Sequence, residues 1–133
     1  MKKENTKIPL YLSHVKAGFP SPADDYVEKT IDLNSELIKN PPATFFVKVD
    51  GDSMTDANIF KDDILIIDKS IEPSNNKIVL AIVNGEFTVK RLKILNNIIT
   101  LQAENSKYND IIITKEMDFE VWGVITYIIH KAL

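Results

Sequence analysis

A serine hydroxyl and a lysine amine are the two groups in this chain whose surroundings could make them reactive. Ser53 stands in Val49-Asp50-Gly51-Asp52-Ser53-Met54-Thr55, directly after an apolar run from Thr44 to Val49. A glycine just before Asp-Ser admits a left-handed backbone bend, which could present the hydroxyl at the end of a strand. Gly51-Asp52-Ser53 is equally the composition of an ordinary turn. A free hydroxyl is a poor nucleophile, so Ser53 needs a base. A Ser-His-Asp triad would have to recruit His14 or His130. The first lies near the N-terminus and the second three residues from the C-terminus, and both read as solvated bystanders. The remaining option is a lysine buried enough to lose its charge near neutral pH. Lys90 suits that role best, because it sits inside Phe87-Thr88-Val89-Lys90-Arg91-Leu92. Strand alternation puts Thr88 and Lys90 on one face and Phe87, Val89 and Arg91 on the other, so Thr88 could hydrogen-bond the amine. The competing reading is a surface lysine on the solvated face of a hairpin, since lysine is rarely buried.

Other chemistries find little support. With no cysteine there is no disulfide framework, no thiol nucleophile and no cysteine zinc site. Two histidines without a helical pair, and no clustered acidic ligands, leave no metal site and no cofactor expected. The four glycines, Gly18, Gly51, Gly85 and Gly123, are scattered, so there is no phosphate-binding loop. Asp24-Asp25 suits a helix first turn and Asp62-Asp63 a turn between strands. Trp122 and the phenylalanines read as core. A net charge of -3 gives no nucleic-acid footprint over the whole chain. No apolar run approaches the roughly 18 residues that span a bilayer, and Ile8-Pro9-Leu10-Tyr11-Leu12 is too short for a signal-peptide core, so a cytoplasmic location is expected.

The elements that must position Ser53 and Lys90 are mostly β. The 133 residues, 44% hydrophobic and 26% charged, predict one soluble domain. Residues 1–17 form an arm of charge +3 against -6 for residues 18–133. Within it Ile8, Leu10 and Leu12 alternate with Pro9, Tyr11 and Ser13, which suits either an extended segment or a loose tail. Ala17-Gly18-Phe19-Pro20-Ser21-Pro22 is a hinge that neither helix nor central strand can continue, and a protease would reach it easily. Ser21, Pro22 and Asp24 predict a short helix to about Lys29. Asp32 predicts the cap of a second, carrying Leu33, Leu37 and Ile38, ended by Asn40-Pro41-Pro42. Strands are then expected over 44–49, 64–67, 77–83, 86–90, 98–102, 111–114 and 119–129. Asn84-Gly85 is a type I′ hairpin signal, Asn96-Asn97 a second tight turn, and 105–110 a loop.

Taken together, three blocks resemble the LexA-like self-cleaving serine peptidases. They are Phe46-Val47-Lys48-Val49-Asp50-Gly51-Asp52-Ser53-Met54, Asp63-Ile64-Leu65-Ile66-Ile67-Asp68 and Gly85-Glu86-Phe87-Thr88-Val89-Lys90-Arg91-Leu92. The 37-residue interval from Ser53 to Lys90 agrees with that family, and Ala17-Gly18 matches its self-cleavage dipeptide. Within it, the run from Ala17 to Glu28 and Ile31-Asp32-Leu33-Asn34 are similar to the UmuD-like branch, although Ala17 stands where UmuD proteins can carry Cys. Seventeen residues before the scissile bond are too few for the helix-turn-helix domain of the repressors. The resemblance implies a partly open, barrel-like body of short, mainly antiparallel strands with short N-terminal helices and an extended arm. It implies Ser53 as nucleophile, Lys90 as general base, Thr88 in support, and the backbone N–H groups of Ser53 and Asp52 as oxyanion donors. It also implies a homodimer, autoproteolysis stimulated by a RecA–single-stranded DNA filament, and a role in translesion synthesis with a Y-family, UmuC-like polymerase subunit during the SOS response. Direct sequence-specific DNA binding is not expected. Two alternatives stay open: a non-catalytic regulatory module on the same fold, and a signal-peptidase-like enzyme, the latter disfavoured by the lack of an anchor.

Overall fold

A computed structural model describes residues 8–11 and 28–133. The chain divides into two compact units between Lys39 and Asn40. In the first, β1 (Ile8–Tyr11) pairs antiparallel with β2 (Glu28–Ile31), Ile8 opposite Ile31 and Tyr11 opposite Glu28. The described part of the arm's alternating segment, Ile8–Tyr11, is therefore a paired strand. The helix expected to run to Lys29 does not extend that far, because Glu28 and Lys29 belong to β2. Thr30 and Ile31 are β-branched and favour the strand, and the ladder to β1 satisfies the backbone of Glu28 and Lys29. The remainder of that expected helix, 21–27, lies outside the described residues. The second expected helix is present as α1 (Leu33–Leu37). Asp32 caps it, its side chain accepting from the Asn34 N–H at 3.0 Å.

The second unit is a seven-stranded antiparallel sheet. Its strands are β3 (Thr44–Lys48), β4 (Ile64–Asp68), β5 (Ile78–Val83), β6 (Glu86–Leu95), β7 (Ile98–Gln102), β8 (Ile111–Ile112) and β9 (Phe119–Ile129). Their order in the sheet is β3-β4-β9-β5-β6-β7-β8, open at both edges. Two hairpins are set by turn residues that tolerate positive φ. Asn84 (φ 49°) and Gly85 (φ 83°) join β5 to β6, and Asn96 (φ 50°) and Asn97 (φ 63°) join β6 to β7, both in the mirror-image turns that match strand twist. β6 runs five residues past Lys90 because its second half pairs with β7, from Arg91 opposite Gln102 to Leu95 opposite Ile98.

The continuous apolar runs in β4 and β5 are explained by burial on both faces. Leu65, Ile67 and Leu80 join Met54 and Ile59 in one buried cluster. Val79 and Ala81 join Leu92, Leu101 and Val124 in another. β9 passes so close to β4 that a Cβ on Gly123 would lie 2.5 Å from Ile67 Cγ2 and 3.2 Å from the Asp68 carbonyl oxygen. This strand can hold only glycine there. No helix of the described residues is long and apolar enough to cross a membrane.

Candidate active site

The serine is delivered by the end of β3. Beyond the last ladder pair, Lys48 with Ile64, the chain is held by the Val49 N–H donating to the Asp63 carbonyl and the Asp62 N–H donating to the Val49 carbonyl, both at 2.8 Å. It then turns at Gly51, whose φ of +116° is available to glycine without strain. Met54 follows Ser53 and is almost wholly buried, as is Ile59. Burying two such side chains is worth about 1.5–3 kcal/mol each, which plugs this loop into the core. A single 3₁₀ turn, Thr55–Ala57, closes on Asn58 in the left-handed conformation. Ser53 is left half-buried at the mouth of the loop.

The lysine is delivered by β6. Lys90 lies opposite Val79, and only 8% of its surface is exposed. Its Nζ reaches Thr88 Oγ1 at 2.5 Å, Ser53 Oγ at 3.2 Å and the Val89 carbonyl oxygen at 3.2 Å. All three are uncharged oxygens. Burial, with no carboxylate beside it among the described residues, pushes the Lys90 amine below its ordinary value. A neutral amine has two N–H donors and one lone pair. Thr88 and the Val89 carbonyl can take the two hydrogens, and the lone pair is then free to accept from the Ser53 hydroxyl. The arrangement can thus deprotonate a serine, provided the lysine is neutral.

Ser53 and Lys90 border a cleft of about 500 Å³. Phe87, Thr88, Val89 and Lys90 all line it, so the cleft wraps around this stretch of β6 instead of taking one face of it. Phe45, Val47 and Trp122 line it as well. Trp122 takes Phe45 edge-on at 6.2 Å and Phe87 edge-on at 5.1 Å between ring centroids. Trp122 and Phe87 were expected in the core. Trp122 is only half-buried and Phe87 is exposed, and the aromatic group forms a wall of the cleft.

Several residues that hold this site leave no local mark in the sequence. The loop after β7, expected to be a plain connection, meets the serine loop repeatedly: the Glu104 N–H donates to the Ser53 carbonyl at 2.9 Å, the Asp56 N–H to the Glu104 carbonyl at 2.7 Å, and Asn105 Nδ2 to the Asp52 carbonyl at 2.7 Å. The Tyr108 hydroxyl donates to the Asp52 carboxylate; that bond, with the negative charge beside it, pushes the phenol up. The Glu104 carboxylate in turn holds Arg91 Nε, next to Lys90. His130 is largely exposed and outside the reactive pair, but it does make one structural contact. Its Nδ1 lies 2.6 Å from Oδ1 of the buried Asp63, whose Oδ2 accepts from the Phe60 N–H at 2.8 Å. Neither partner bears on Ser53 Oγ. These contacts join residues up to 67 positions apart, and no local pattern announces them. Ala17 and Gly18 lie outside the described residues. Among the described residues, no group of three or more His, Asp or Glu side chains could hold a metal ion.

A serine hydroxyl against a desolvated lysine amine, at the mouth of an apolar cleft on an antiparallel sheet, is the constellation of serine peptidases that use lysine where others use histidine. A model of the Peptidase S24-like family matches residues 9–126, and the chain belongs to that family of autocatalytic serine peptidases of the LexA and UmuD type. Protein SamA of Salmonella typhimurium is 42% identical over 124 residues, covering 93% of this chain and 86% of SamA. Protein MucA of Escherichia coli is 39% identical over 121 residues, covering 90% and 82%. The LexA repressor of Histophilus somni is 34% identical over 130 residues, covering 96% of this chain but 61% of the repressor. The chain is a UmuD-like member of the family, a self-cleaving accessory subunit in SOS mutagenesis.

Proposed function

We propose that Ser53 is the nucleophile and Lys90 the general base of a self-cleavage between Ala17 and Gly18. Ser53 Oγ attacks the Ala17 carbonyl carbon as neutral Lys90 takes its proton. The resulting oxyanion is held by the backbone N–H groups of Ser53 and Asp52. Lys90 then returns the proton to the Gly18 amine as the bond breaks, and water releases the acyl group. The reaction separates arm 1–17 from domain 18–133. A RecA–single-stranded DNA filament stimulates it by favouring the conformation with the scissile bond in the cleft. The trimmed form works as a cytoplasmic homodimer with a Y-family, UmuC-like polymerase subunit in translesion synthesis.

The observation that carries this reading is the 3.2 Å approach of Lys90 Nζ to Ser53 Oγ, made by an amine with no carboxylate partner among the described residues. The dimer is supported by an exposed apolar face. Phe46, Ile64, Tyr127 and Ile129 share one side of the β3-β4-β9 segment, each 38–54% exposed, and such a patch marks an interaction surface.

The test is incubation of the pure protein at mildly alkaline pH with intact-mass detection. The expected product begins at Gly18 and is absent from Ser53→Ala and Lys90→Ala. A chain that stays whole both at alkaline pH and with activated filament would overturn the reading in favour of a non-catalytic interaction module.

A further inference from the structure

Both peptide groups that flank Ser53 are gripped by consecutive residues of the loop after β7. Asn105 Nδ2 donates to the Asp52 carbonyl at 2.7 Å, and the Glu104 N–H donates to the Ser53 carbonyl at 2.9 Å. Among the described residues no peptide bond is cis, so in each planar group the N–H points opposite to the carbonyl. Fixing the Asp52 carbonyl therefore fixes the direction of the Ser53 N–H, and fixing the Ser53 carbonyl fixes that of the Met54 N–H. Among the described residues, the Ser53 N–H has no backbone acceptor. Asp52 and Ser53 line the cleft and Asn105 does not, so Asn105 pulls on this peptide from outside the cleft and leaves the N–H directed away from itself.

The Asn105 side chain is itself held. Its Oδ1 accepts from the Lys107 N–H at 3.0 Å, and the Tyr108 N–H closes the turn on the Asn105 carbonyl at 3.0 Å. The amide uses one end on its own loop and the other on Asp52, so rotating it by half a turn would set like against like at both ends. Nothing in this arrangement touches Lys90 Nζ, whose hydrogen bonds go to Thr88, Ser53 and Val89.

We infer that Asn105 is a positioning residue that pre-aims the Ser53 N–H at the oxyanion formed during self-cleavage. The inference rests on the reading of Ser53 as nucleophile. Its physical basis is that a donor fixed before the reaction stabilises developing charge with no reorganisation at the moment of attack. Asn105 serves the transition state and not the base, so its loss lowers the rate without moving the protonation that Lys90 controls.

The test uses the full chain, with self-cleavage rate measured against pH for wild type, Asn105→Ala and Asn105→Asp. The aspartate keeps the shape but replaces the donor with an acceptor. The expected result is a plateau rate at least about tenfold lower in both variants, of the order lost with a weakened oxyanion donor, with the midpoint of the pH profile unchanged in the uncharged Asn105→Ala and the thermal midpoint close to wild type. A plateau within about twofold of wild type overturns the inference, as does a rate loss in Asn105→Ala accompanied by a displaced pH midpoint, because either removes the transition-state role. Unfolding of both variants also overturns it, since the residue would then be structural. If wild type itself is cut but Ser53→Ala is cut equally, the nucleophile reading fails first, and the inference falls with it.

Discussion

Lys90 and Asp68 are both charged side chains buried in the same sheet, and their surroundings are opposite. Asp68, at the end of β4, is 5% exposed. It accepts from the Ser70 N–H at 2.8 Å, the Ser70 hydroxyl at 2.5 Å and Asn40 Nδ2 at 3.1 Å. Those donors, the Ser70 hydroxyl foremost, hold its carboxyl below the usual carboxylate range against the opposing effect of burial. Lys90 is 8% exposed and among the described residues meets only neutral oxygens, so burial prevails and its ammonium is disfavoured. Burial alone therefore does not distinguish a structural charge from a reactive one. The partners do: the donors around Asp68 outweigh its burial, whereas among the described residues no opposite charge offsets the burial of Lys90.

The largest effect expected from breaking this contrast is at Lys90. Lys90→Met should abolish self-cleavage, read as intact mass over the time in which wild type is fully cut. The same variant should be more stable than wild type near neutral pH. The sign follows from proton binding: between the lowered folded value and the ordinary lysine value of 10.5, the unfolded chain holds more protons than the folded one. Wild-type stability therefore rises with pH in that window, and the gap to Lys90→Met should narrow as pH climbs through it. Denaturant melts at several pH values would show it, and a gap that widens with pH would contradict the account. Next in size is Asp68→Ala, which strips the partner from three donors and should cost about 1–3 kcal/mol. Because the folded Asp68 value is lowered, its stabilisation is present above the unfolded carboxylate value and lost as pH falls through the folded one. Asp68→Asn should thus show a shallower acid transition than wild type.

The contrast also marks what could be learned before the structure. The strands, the Asn84-Gly85 and Asn96-Asn97 hairpins and the Asp32 cap are local decisions made by neighbouring residues, and periodicity and turn chemistry describe them. The pairing of Thr88 with Lys90 on one face follows from the same alternation. Glu28 and Lys29 lie in a strand and not in the expected helix because their partners, Tyr11 and Leu10, lie seventeen and nineteen residues earlier, and tertiary pairing overrides the local helix signal. The clamp from Glu104, Asn105 and Tyr108 on the serine loop is longer in reach still, with Asn105 lying 53 positions from Asp52. Trp122 and Phe87 look like any strand aromatics in one dimension. Only the open cleft beside them makes them a wall and not a filling.

The smallest and most discriminating effect is expected at Thr88. Its hydroxyl takes one Lys90 hydrogen at 2.5 Å, and it stabilises the ammonium more than the amine, because a hydrogen bond to the charged form is the stronger of the two. Thr88→Val keeps the shape and removes this acceptor, so the Lys90 value should fall further and the midpoint of the cleavage profile should move to lower pH. The amine would also be less well aimed at Ser53, and the plateau rate should fall by less than about tenfold, short of the roughly 10²-fold that a misplacement of about 1 Å costs. These two changes oppose each other on the acidic side of the profile, where more of the lysine is neutral but each neutral lysine is less effective, so the wild-type and variant curves should cross. Thr88→Ser should restore both midpoint and plateau. A profile that only drops, with its midpoint fixed, would mean that Thr88 holds the amine in place without tuning it, and Lys90 would then owe its altered protonation to burial alone.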